Sequence, residues 1–249
     1  MAVPFMGEEE AAAAAAEAAE MVAWLEMMRT VAKDLAGVGD QLAMVHFSTQ
    51  EARATLTEAT GLLDEDIDAA EIVFAHALSV VPARGGDPGT LTAVGRLVHT
   101  IFFLEKPVLR GAISAAMDLV ARVHGELDNA RDLFNTVGED LVNTVHRFDL
   151  HGGVEDDETW SERYEKASSQ ETEADMRLGI AISQVEHARG VYGDYLAQSR
   201  RREFACDAVE ILRGAIEDVD EALKAIDQMR DAVIAMEQIV RNSIGAAAP

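Results

Sequence analysis

Residues 113–141 read ISAAMDLVARVHGELDNARDLFNTVGEDL. Apolar side chains recur at Ile113, Ala116, Val120, Val123, Leu127, Ala130, Phe134, Val137 and Leu141, in steps that alternate between 3 and 4. That spacing averages 3.5 residues, so on a helix it draws one apolar seam along a single face. A strand would need a period of 2, and no such run exceeds four residues anywhere in the chain.

The same seam appears on both sides of this stretch. Upstream it runs through Met21, Trp24, Met28, Val31, Leu35, Val38, Leu42 and Val45. It turns polar from His46 to Thr55 and resumes at Leu56, Ala59 and Leu63. Downstream it runs through Val185, Ala188, Tyr192 and Tyr195, then Ala205, Val209, Leu212, Ile216, Val219, Leu223 and Ile226. A short step to Met229, before Val233, Met236 and Val240, reads as a stammer that overwinds the helix locally.

Two segments interrupt the pattern. Pro82 to Gly89 holds two prolines and three glycines, and His151-Gly152-Gly153 precedes the acid run Glu155 to Glu158. The expected fold is all-α: an elongated antiparallel bundle of three long, partly broken helices with coiled-coil-like heptad packing. The helices fall at about 8–82, 90–150 and 157–244 of a single domain spanning 1–249. Straight, they would reach about 110, 90 and 130 Å. Breaks are expected at Gly37–Gly39, at Pro107 and near Gln198.

Composition narrows the function classes. The chain has 249 residues, 45 acidic and 21 basic side chains and a formal charge of -24. Such a chain is a poor partner for nucleic acid, whose phosphates need clustered lysine and arginine. An apolar fraction of 49% is too high for a disordered acidic tail. One cysteine, Cys206, excludes a disulfide scaffold. The N-terminal residues lack the basic and apolar regions of a secretory signal, and no stretch is apolar for the length of a membrane span. The expected compartment is cytoplasmic, with leaderless export open.

No catalytic, cofactor or metal constellation stands out. Asp64, Asp66 and Asp68 match the first positions of a calcium loop, but Ala69 and Ala75 stand where glycine and glutamate are required. The seven histidines include no Glu-x-x-His pair and no His-Glu-x-x-His. Nucleophile elbows, phosphate loops and dinucleotide fingerprints are absent as well. Cys206 reads as a small core residue.

The expected function is therefore non-enzymatic: a structural or protein-interaction module that works through helix faces, with another protein or a second copy as partner. Val209, Leu212, Ile216, Val219 and Leu223 are the residues expected to carry such contacts. Arg200, Arg201 and Arg202 form the one basic cluster, expected to staple an acidic neighbouring helix at a polar layer.

The alternative is a membrane-active protein. Residues 91–120 surround a proline kink and contain the apolar Leu97, Ile101, Phe102 and Phe103. Long amphipathic helices flanking a short apolar head resemble, in layout alone, the helical cytolysin A-type pore-forming toxins. That resemblance implies insertion through residues 91–120. The small helical substrates of type VII secretion are a poorer comparison. Neither Trp24 nor Trp160 is followed two places on by glycine, and no tyrosine has an acid four places on.

Overall fold

A computed structural model describes residues 8–80, 107–148, 157–197 and 201–247. Within them the chain is all-helical, with four helices and no strand. They are α1 (Glu8–Val80), α2 (Pro107–Phe148), α3 (Asp157–Ala197) and α4 (Arg201–Ala247).

Three helices were expected and four are found, because the segment 157–244 is two helices that end at Ala197 and begin again at Arg201. The residues between them, QSR at 198–200, where the apolar seam is interrupted in the sequence, lie outside the described residues. Pro107 opens α2, at the position where its missing N–H costs no hydrogen bond and its fixed φ suits a helix. Gly37 and Gly39, by contrast, do not break α1, which runs through them. A Cβ at Gly37 would only reach ordinary contact with Leu133, 3.8 Å away, so the backbone there is under no demand that glycine must meet.

The described chain groups into two compact units, and each helix contributes to both. Unit 1 takes 1–44, 127–172 and 226–249, and unit 2 takes 45–126 and 173–225. Inside each unit, neighbouring helices run antiparallel. Numbers rise on one helix as they fall on the other: Arg53 meets Asp220 while Asp64 meets Arg213 in unit 2. In unit 1, Arg131 meets Glu171 while Phe134 meets Tyr164.

Burial repeats every 3 and 4 residues along all four helices. On α2 it follows Leu109, Ile113, Ala116, Val120, Val123 and Leu127 to Leu141 without a slip. On α1 the polar stretch 46–55 does not interrupt it, since Thr49 and Ala52 stay buried between Val45 and Leu56. The Thr49 hydroxyl donates to the Val45 carbonyl at 2.6 Å, so its polarity is absorbed by its own helix. On α4 the expected stammer is absent. The buried line is Ala208, Leu212, Ala215, Val219, Ala222, Ile226, Met229, Val233, Met236 and Val240. Small alanines hold the positions that the larger Ile216 and Leu223 were expected to hold. Those two lie one residue on, half-buried at the flank of the seam.

The cores differ in chemistry. Unit 1 buries Trp24, Met28, Phe134, Met229 and Met236. Unit 2 is built mostly from leucine, valine and alanine, such as Leu56, Val120, Leu178 and Leu212.

Candidate interaction surface

In unit 2 the helices carry charged residues two apart just outside the seam, and these meet at one level. Arg122 Nη2 donates to Glu51 Oε2 at 2.9 Å, joining α2 to α1. His124 Nε2 lies 2.9 Å from Asp175 Oδ1, joining α2 to α3. Arg177 Nη1 donates to Asp218 Oδ1 at 2.9 Å, joining α3 to α4. Arg53 grips Asp220 with both Nε and Nη2, joining α1 to α4. The four edges of the bundle are thus closed by a belt. Hydrogen bonding to Asp220 holds the Arg53 guanidinium above its ordinary pKa, and hydrogen bonds to Glu173 and then Asp218 do the same for Arg177. Arg213 adds a second α1–α4 pair with Asp64, at 2.6 Å.

Beside the belt, α3 and α4 leave a groove of about 730 Å³. Its α3 wall is Ser183, Gln184, His187 and Val191. Its α4 wall is Asp207, Glu210, Ile211 and Gly214. Gly214 faces the Gln184 side chain, and a Cβ there would come into van der Waals contact with it, 3.4 Å from Nε2. Gln184 Oε1 is buried and accepts no hydrogen bond. Farther along α3, Met176 and Ile180 are 46% and 39% exposed. With Gln184, His187 and Val191 they follow one stripe of the helix at spacings of 3 and 4.

Further apolar side chains are open on α1: Met21, Val22, Met44, Phe47 and Ile72. Phe47 in unit 2 is 69% exposed, and Met44 in unit 1 is 61% exposed. Neither belongs to the buried line, which passes through Leu42, Val45 and Thr49.

The structure places the residues expected to make contacts as follows. Val209, Leu212 and Val219 lie in the core of unit 2. Ile216 and Leu223 are half-buried on its flank. Arg200 lies outside the described residues, and of Arg201 and Arg202 only the backbone, in the first turn of α4, is described. Stapling by arginine does occur, but through Arg53, Arg122, Arg177 and Arg213. Leu97, Ile101, Phe102 and Phe103 lie outside the described residues. Of the apolar segment 91–120, the described part turns Leu109, Ile113, Ala116 and Val120 into the core of unit 2.

Sequence reasoning missed Phe47, Met176, Ile180 and the groove. The signal was an apolar residue off the 3-and-4 seam, legible once the seam positions are struck out.

Among the described residues, no group of three or more His, Cys, Asp or Glu side chains could hold a metal ion, and no helix is long and apolar enough to cross a membrane. No protein-family model, no curated protein and no solved structure matches the chain.

Proposed function

We propose that the protein is a non-enzymatic interaction module whose contacts are made by outward helix faces. The observation that carries this reading is Phe47, a large aromatic side chain 69% exposed on the outer side of a helix whose inner seam is already buried in the bundle. An aromatic anchor with most of its surface in water gains most from being covered by a partner. Coiled-coil-like packing of the four seams belongs to the same reading, supported by burial at 3-and-4 spacing. The seams then build the scaffold and the outer faces do the binding.

The test places a photo-crosslinking amino acid at Phe47 or at Ile180, with the exposed polar Gln50 and Glu186 as controls. Discrete adducts in cells from the apolar positions, and none from the controls, are expected. The same smear or silence from all four positions would overturn the reading.

Self-association is a specific form of this proposal, favoured by the half-exposed Ile216 and Leu223. An Ile216→Asp variant should then lose any oligomer; unchanged mass by sedimentation at unchanged helicity would remove that form and leave a partner of different sequence.

A further inference from the structure

The groove between α3 and α4 has a shape and a charge that together describe an occupant. Its α3 wall runs from Ser183 to Val191, about two helical turns or 12 Å. The exposed Met176 and Ile180 extend the same stripe to about 22 Å. Apolar side chains thus stand at both ends of the α3 stripe, Met176 and Ile180 at one and Val191 at the other, with Ile211 across on α4 and the polar Gln184 and His187 between; a trough between two helices with such apolar points is a surface on which a third helix can seat its own apolar face.

The charge is one-sided. The walls carry the carboxylates of Asp207 and Glu210 and no lysine or arginine, on a chain of net charge -24. Such a groove attracts cations and repels acidic segments, including further copies of this chain.

We propose that this groove binds one cationic amphipathic helix of a different protein, apolar side inward on Ile180, Val191 and Ile211, with lysine or arginine reaching Asp207 and Glu210. The proposal rests on the interaction-module reading and names its partner class. It puts the apolar contact on Ile180, Val191 and Ile211 and the charge contact on Asp207 and Glu210, so the two contributions are separable by substitution.

The experiment uses the full chain and a fluorescent peptide of about 18 residues, with leucines on one helical stripe and lysines on the rest. Anisotropy should rise on titration and saturate. A scrambled peptide of identical composition should bind at least about tenfold more weakly, because it has charge without the stripe. An Asp207→Asn, Glu210→Gln double variant should also lose about tenfold, and Ile180→Ser should lose several-fold, with circular dichroism unchanged. The proposal is overturned if the scrambled peptide binds equally well, if binding is untouched by these variants, or if the striped peptide does not bind. Crosslinking at Phe47 separates the two levels: adducts there with no peptide binding in the groove would remove this proposal alone, whereas loss of all adducts would remove the module reading beneath it.

Discussion

The two units solve one problem in different places. Both stack four antiparallel seams of apolar residues, which leaves each helix free to slip by a heptad unless something marks the level. Unit 2 marks it on the outside, with Arg53, Arg122, His124 and Arg177 joined to acids across all four edges. Unit 1 marks it on the inside. Tyr164 stacks on Phe134 with ring centroids 4.8 Å apart, over the space left by buried Gly138. Beside that stack Glu171, only 8% exposed, occupies a seam position and meets Arg131 at 3.4 Å. Surface pairs cost little desolvation and return little energy, while interior devices return more and tolerate less. The difference therefore predicts that substitutions in unit 1 act strongly and those on the belt act weakly.

The largest expected effect is Phe134→Ala. It removes a buried ring and its stacking partner's support, and should cost about 3–5 kcal/mol in chemical denaturation. Hydrogen exchange should show the loss first in amides of 127–172; equal loss in both units would break the comparison.

Gly138→Ala comes next. A methyl there would lie 2.7 Å from Tyr164 Cζ and Oη, and closer still to Cε2. The clash should cost about 1–3 kcal/mol, less the gain of up to about 1 kcal/mol that alanine brings to a helix. Combining it with Tyr164→Ala should return that clash, and a double variant no better than the sum of its parts would place the strain elsewhere.

A smaller change, of opposite sign, is expected from Glu171→Leu. An apolar residue at a seam position relieves the desolvation of the carboxylate, and Arg131 keeps Asp128 at 2.6 Å. The variant should be neutral or more stable by about 1 kcal/mol, measured by denaturant midpoint. A clear loss would show that the charge itself fixes the level of α3.

The smallest effect belongs to the belt. Arg53→Ala should cost about 0.2–1 kcal/mol, and less in concentrated salt, because both partners are partly exposed to water. Its pH dependence has a definite sign. A guanidinium whose pKa is raised in the folded state contributes fully below its unfolded value and loses that contribution only as pH climbs through the raised value. Stability titrated from pH 7 to 10 should therefore differ between wild type and Arg53→Ala by a constant. A difference that changed with pH would assign the belt's stability to another group.

Much of the architecture is legible without coordinates, and the failures have definite causes. On α2 the seam is evenly spaced and larger residues flank each of its two alanines, Ala116 and Ala130, so pattern and burial coincide from Ile113 to Leu141. On α4 the pattern offers Ile216 and Leu223, and a reader following size takes them as seam. The helix instead turns Ala208, Ala215 and Ala222 inward and keeps the larger residues on the flank. Small residues in a core are invisible to hydropathy and decisive for spacing. Along the first part of α3 the seam is Ala167, Glu171, Ala174, Leu178 and Ala181, too weak to read before Val185. The groove is harder still, since it depends on which two helices are neighbours, and Ser183 and Gly214 are far apart in sequence.

The methionines turn the same layout into a chemical clock. Met28, Met229 and Met236 are sealed in the core of unit 1, whereas Met176 on α3 stands 46% open in unit 2. Peroxide converts an accessible thioether to a polar sulfoxide, and a buried one must wait until the structure around it opens. Under a mild oxidant, Met176 should acquire oxygen at the rate of a free side chain. Met28, Met229 and Met236 should acquire it together, at the rate at which unit 1 opens. The protein thus carries an internal timer for its own opening, read by mass spectrometry without a label, and its oxidative ageing should begin at exposed positions such as Met176 long before it reaches a core.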